Sequence, residues 1–282
     1  MKFRVSSVLE YEVRSPTTLI LSIHALRTPT QAVLEEAFTT EPYIKMEELT
    51  SANGENRFMR LEVSAETPLT VSYEATVDTQ YKIIEQDQLE AVPIVQLDGA
   101  VIPFLFPSRY CQSDKLYRLA YGKFGDIQNS YSKVMAVTDW IYENVEYLSG
   151  STSSQTSAYD TVTERAGVCR DFAHLGIALC RALTIPARYF TGYAYGLKPP
   201  DFHACFEAYI GGQWLIFDAT RLAPLNGLVK IAAGRDAADA AVASIFGNVI
   251  SKDMQVACQV LEEGFVPFTP KNANAEGLSF SG

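Results

Sequence analysis

The chain of 282 residues carries 33 acidic against 23 basic side chains, a net charge of −10, and 48% of it is apolar. That apolar share supports one large buried core or two ordinary ones and excludes a disordered chain. The negative field repels polyanions, so neither nucleic acid nor an anionic membrane is an expected partner.

From Phe3 to about Thr79 the runs "FRVSSVLEYEV" and "RLEVSAETPLTVSYEATVD" alternate apolar and polar residues, with Pro, Asn and Gly between them. Period-two patterning predicts antiparallel strands, and residues 1–80 are expected to form an N-terminal β-sandwich. The apolar stretch 19–26 is interrupted by Ser22 and preceded by Glu10 and Glu12. It is too short to span a bilayer and lacks a basic leader, so a cytoplasmic protein is expected. Residues 81–124, with "PIVQLDGAVIPFLFPSRYCQSD", show no sustained period and are expected to be an irregular connector.

The texture then turns helical, and residues 125–230 are expected to form the second, core domain. "YSKVMAVTDWIYENVEY" sets Val134, Val137, Ile141 and Val145 on one stripe. Ser157 with Asp160 is a capping-box variant that starts a short helix through Arg165. The next helix begins at "GVCRDFAHLGIALCRAL", where Phe172, Leu175, Leu179 and Leu183 mark a buried face and Pro186 a stop. "ARYFTGYAYG", "HACFEAYI" and "QWLIFDAT" read as antiparallel strands, and helices followed by strands give an α+β layer. In residues 231–282, "GRDAADAAVASIFG" is expected to be an Ala-rich helix capped by Asp236, ahead of a mobile polar tail.

Five cysteines, at 111, 169, 180, 205 and 258, form an odd set without a Cys-x-x-Cys pair and are expected to be free thiols. Cys169, in the first turn of its helix, has three readings: nucleophile, metal ligand or small core residue. Nucleophilic attack requires a thiolate, which the unsatisfied N–H groups and partial positive charge of a helix start favour. Gly167, two residues earlier, would let a substrate backbone approach.

A base must then reach the sulfur, and the histidines are His24, His174 and His203. His24 falls in a strand of the other domain. His174 lies five positions after Cys169, about 500° around a helix, and points elsewhere. If Gly211 and Gly212 form a two-residue turn, Tyr209 faces Trp214, Cys205 faces Asp218, and His203 lies diagonal to Asp218 on one face. A one-residue bulge would reverse that facing. A competing zinc set would be Cys169, His174, His203 and Cys205, although i and i+5 side chains on a helix diverge and Asp218 would then have no role.

The segments "AGVCRDFAHLGIALCRALTIPARYFTGY", "DFHACFEAYIGGQWLIFDAT" and "GRDAADAAVASIFG" resemble the bacterial transglutaminase-like superfamily, especially its candidate cysteine proteases with a β-rich N-terminal region. The resemblance covers roughly residues 1–250. It implies a papain-like α+β core with Cys169 as nucleophile, His203 as general base and acid, and Asp218 as the orienting carboxylate. The implied reaction is thiol-dependent acyl transfer on a peptide or protein amide: hydrolysis if water resolves the thioester, cross-linking if an amine does. No metal or organic cofactor is implied. Two departures stand out: Cys205 where the family commonly has Trp, and Asp218-Ala219-Thr220 where Asp-Pro-Thr is usual.

The backbone N–H of Cys169 is one expected oxyanion donor, with Tyr147, Tyr193 and Asn144 as candidate side chains for oxyanion or substrate contact. Asp171 suits the helix dipole, Arg235 with Asp236 a helix cap, and Cys180 a buried thiol.

Overall fold

The computed structural model describes residues 1–52, 56–85, 88–269 and 276–281. The chain opens with β1 (Lys2–Val13), β2 (Thr17–Leu21), β3 (Gln31–Glu41), β4 (Lys45–Thr50), β5 (Arg57–Val63) and β6 (Thr67–Thr79). In β1 and β6 every second residue is buried, from Phe3 to Val13 and from Leu69 to Thr79, as a sheet with one solvated face requires. Then come β7 (Lys82–Ile84), 3-10 turns at Ile94–Gln96 and Ile102–Leu105, α1 (Ser113–Phe124), α2 (Ser130–Asn144), β8 (Glu146–Tyr147), α3 (Ala158–Glu164), β9 (Ala166–Gly167) and α4 (Cys169–Ala182). The chain closes through β10 (Ala187–Ala194), β11 (Phe202–Ile210), β12 (Gln213–Phe217), β13 (Leu228–Gly234), β14 (Ala243–Phe246), β15 (Val249–Val260) and β16 (Gly277–Ser279).

Two antiparallel four-stranded sheets, ordered β15-β1-β6-β3 and β14-β2-β5-β4, make the sandwich. A six-stranded antiparallel sheet, β13-β10-β11-β12-β16-β7, carries the helices. The fold is α+β. The helix α4 lies against β10 and β11, buried along nearly its whole length. Its approach to the sheet depends on Gly176, where a Cβ would stand 2.5 Å from the Phe206 ring. No helix among the described residues is long and apolar enough to cross a membrane.

Three expectations need correction. The sandwich is not confined to residues 1–80, because β15 flanks β1 and β14 flanks β2. The segment "GRDAADAAVASIFG" is not a helix. Asp236 accepts the N–H groups of Ala238 and Tyr110, and Asp239 accepts that of Arg235, so side chains take the donors a helix would use and the chain turns into β14. Arg235 pairs with Asp239 at 2.8 Å in that turn rather than serving a helix cap.

The connector is regular at its end. The helix α1 buries Leu116, Ala120 and Phe124, a stripe one residue wide that is easily missed among polar neighbours. Of the tail expected to be mobile, residues 270–275 and 282 lie outside the described residues. Gly277–Ser279 are a buried strand between β12 and β7, which extends the core sheet beyond residues 125–230.

Candidate active site

Cys169 is the first residue of α4, preceded by the extended Val168. The buried Asp171 carboxylate accepts the Val168 N–H at 3.0 Å and so closes one of the open donors of the helix start. Arg170 donates to the Ser153 carbonyl at 2.8 Å and ties the Ser/Thr loop to the same turn. The space a side chain would take at Gly167 belongs to Asp171, whose Cβ stands 2.8 Å from that position, so Gly167 serves packing rather than substrate approach.

The β11–β12 hairpin turns through Gly211 and Gly212 at φ 61° and 78°, the two left-handed residues that a type I′ turn demands. From Ile210↔Gln213 to Phe206↔Phe217 the ladder runs without a bulge, and Tyr209 faces Trp214. His203 and Asp218 thereby meet: Nε2 of His203 lies 2.8 Å from Oδ2 of Asp218, both side chains almost fully buried. The other oxygen, Oδ1, accepts the Thr220 N–H at 2.8 Å and its hydroxyl at 2.7 Å. Nδ1 of His203 is otherwise without a partner, and Cys169 interacts with that imidazole from the helix start.

Burial opposes charge on both members of the pair, and their mutual attraction overcomes it. The Asp218 carboxyl is held below its ordinary range by His203 and by the hydrogen bonds from His203 and Thr220. Burial alone would lower the His203 pKa, but the anions around it raise it well above its ordinary value. At neutral pH the carboxylate of Asp218 is the anion that matters, because burial pushes the Cys205 thiol up to about 12 and leaves it uncharged.

Among the oxyanion candidates, Tyr147 alone stands at this site. The strand β8 pairs with β9 and sets Tyr147 beside the start of α4, near the Cys169 backbone. Burial, then the proximity of Cys169, pushes its phenol up to about 12. Tyr193 is elsewhere: it is fully buried, and its hydroxyl donates to the Ile23 carbonyl at 2.7 Å, joining the core to the sandwich. Asn144 is also elsewhere, its Nδ2 donating to the Trp140 carbonyl at 2.9 Å within its own helix.

The zinc set does not assemble. His174 stacks between Tyr110 and Tyr189, each at 5.0 Å, and its Nε2 accepts the Ala237 N–H. Burial holds its pKa well below the ordinary value. Among the described residues, the donors that converge are His203, Cys205 and Asp218, within 4.8 Å of one another.

A cleft of about 440 Å³ opens over Cys169 and His203, walled by Tyr110, Arg170 and the segment from Ala237 to Ser244. That wall left no mark in the sequence, since no local pattern places residues 237–244 beside Cys169. Thr220 was signalled by its two-residue spacing from Asp218, the spacing of an Asx turn.

Residues 1–100 match the family described as bacterial transglutaminase, N-terminal domain, and residues 118–219 match the transglutaminase-like superfamily. A solved structure from Cytophaga hutchinsonii, named as a cysteine protease candidate, is 66% identical over 99% of this chain and 97% of its own, with a TM-score of 0.97. The chain belongs to the transglutaminase-like superfamily. An uncharacterized protein of Mycobacterium leprae is 23% identical over 208 residues, covering 69% of this chain and 74% of its own. A shorter stretch of 60 residues is 43% identical to a protein of Mycobacterium tuberculosis, covering 21% of this chain and 19% of that relative. In this transglutaminase-like chain, the Cys, His and Asp motifs come from the helix start and the hairpin described above.

Proposed function

We propose that this protein is a thiol-dependent acyl transferase that hydrolyses peptide or protein amides, a cysteine protease or amidase with Cys169, His203 and Asp218 as its triad. The observation that carries the reading is the buried His203–Asp218 pair at 2.8 Å, with Cys169, at a helix start, lining the same cleft as that imidazole.

In this mechanism His203 takes the Cys169 proton as the sulfur attacks the amide carbonyl. A tetrahedral intermediate forms, and its oxyanion meets the Cys169 N–H at the helix start, with Tyr147 nearby. The imidazolium, stabilised by Asp218, returns the proton to the leaving amine, and a thioester remains. Water, deprotonated by His203, then releases the acid and restores the thiol. Nδ1 of His203 makes no hydrogen bond of ordinary geometry here, and bonds of this kind often tighten only when substrate binds.

A metal at His203, Cys205 and Asp218 is the second reading, given their convergence. It is the weaker one, because Nε2 of His203 is already committed to the carboxylate it would have to share the metal with.

The test is alkylation by iodoacetamide, followed at each cysteine by mass spectrometry. Labelling is expected to concentrate at Cys169, since burial pushes Cys205 and Cys258 up to about 12 and Cys111 and Cys180 higher still. Replacement His203→Ala should slow it at least tenfold. Labelling of Cys169 that is indifferent to His203 sinks the triad. Product analysis with and without an added amine separates hydrolysis from cross-linking.

A further inference from the structure

The strand β14 is a sheet edge. It pairs with β2, and among the described residues no strand pairs with its other side. An open edge is a template for any extended chain, so proteins blunt such edges with charge or cover. This molecule does so elsewhere. On β13, Asn56 takes both the N–H and the carbonyl of Ala233, at 3.0 and 2.7 Å, while Gln31 does the same for Lys230. The edge strands β3, β4, β7 and β15 each carry charged side chains. The strand β14 reads Ala-Ser-Ile-Phe, with no charge, and leaves Ile245 39% and Phe246 63% exposed.

This bare edge begins at the cleft: Ala243 and Ser244 line the same cavity as Cys169 and His203. Its hydrogen-bonding phase is also fixed. Ser22 donates to the Val242 carbonyl at 2.8 Å, and antiparallel pairing alternates, so Ser244 and Phe246 address β2. The backbone groups of Ala243 and Ile245 therefore point away from β2, toward the open side.

We infer that β14 is the docking edge for the substrate polypeptide, which adds to the sandwich as an extended strand and so delivers its amide to Cys169. The occupant is an unfolded or extended peptide segment, uncharged where it meets the edge, held by main-chain hydrogen bonds as in other strand-addition complexes. The alanines at 237, 238, 240, 241 and 243 leave main chain and little else along that wall. The inference rests on the protease reading above.

The test uses a randomised pool of uncharged dodecapeptides and the Cys169→Ala protein, so that captured peptides persist. Bound peptides are expected to slow hydrogen exchange at Ala243 and Ile245 at least tenfold. Capture should fall at least tenfold in Ile245→Lys, which charges the edge, and in Ala243→Pro, which removes an outward N–H while leaving the β2 ladder intact. Two variants guard against misfolding in one. Absence of capture, equal capture by both variants, or protection confined to other strands overturns the inference. So does an edge that changes only self-association, which would make a second copy the occupant. Iodoacetamide labelling of Cys169 keeps the two readings apart. Equal capture with His203-dependent labelling removes the docking edge alone, and labelling indifferent to His203 with capture intact removes the reaction alone.

Discussion

Thr220 grips one oxygen of Asp218 twice, through its N–H at 2.8 Å and its hydroxyl at 2.7 Å, and leaves the other oxygen to His203. The carboxylate can therefore neither rotate nor protonate easily. In Thr220→Val the hydroxyl donor is lost and the N–H kept, so the Asp218 carboxyl should rise back toward its ordinary range. The pH below which Cys169 alkylation collapses should move up, and the rate at neutral pH should fall about tenfold, the size expected for one hydrogen bond to a charged group. A superimposable pH profile would show that Thr220 does not position Asp218.

In the proposed triad, Asp218→Asn keeps nucleophile and base but removes the charge that would stabilise the imidazolium. Amide turnover is expected to fall roughly a hundredfold or more yet remain measurable, whereas Cys169→Ala erases it. Cys169→Ala should melt within a few degrees of wild type, since the change opens only a small void at a partly exposed position. Wild-type turnover in Asp218→Asn would remove that residue from the reaction.

The register of the hairpin was legible because two consecutive glycines permit a turn that other residues resist, and the turn then fixes every pair up to Phe206–Phe217, next to Asp218. The body of α4 was legible from its buried stripe, and its end from the Pro186 stop. The fate of residues 243–260 was not, because pairing between β15 and β1 is a contact between chain ends for which neither segment carries a local signal. Alanine richness pointed to helix in residues 234–247, and two aspartates that capture backbone N–H groups outweighed it. Tyr193 was misplaced for a related reason: a tyrosine at a domain junction and one in a cleft look the same in sequence.

Acid should weaken the sandwich in two steps. His24 lies against Phe38 and Tyr73, and burial, with Arg57 nearby, lowers its pKa to about 4. The unfolded chain takes up that proton near pH 6.5 and the folded one only near 4, so stability on the order of 3 kcal/mol is lost across that window. Burial alone would raise Glu36, but the Arg57 fork and the Tyr73 hydroxyl hold it at about 2, so its contribution is lost as pH falls from 4.5 toward 2. Urea melts at stepped pH should show His24→Phe flattening the upper step and Glu36→Gln the lower. An unchanged upper step in His24→Phe would refute the assignment.

Gly176 sets the distance between α4 and the sheet. Gly176→Ala places a methyl carbon where the Phe206 ring now lies and should cost about 1–3 kcal/mol. Because Cys169 rides on α4 and His203 on β11, alkylation should slow as well. The double variant Gly176→Ala, Phe206→Leu should recover both stability and rate, and failure to recover the rate would separate helix packing from thiol reactivity.

The position of β1 between β6 and β15 bears on how the chain is made. During synthesis β1 and β6 emerge early, but one flank of β1 stays unpaired until residues 249–260 leave the ribosome. Residues 237–244, the wall of the cleft, emerge shortly before that strand. On the proposed function, a nascent chain thus holds Cys169, His203 and Asp218 before it holds the wall of the cleft that lies over them. Contacts of such long sequence separation form slowly, so in the proposed enzyme that slowness would act as a delay between acquiring the triad and acquiring the cleft over it.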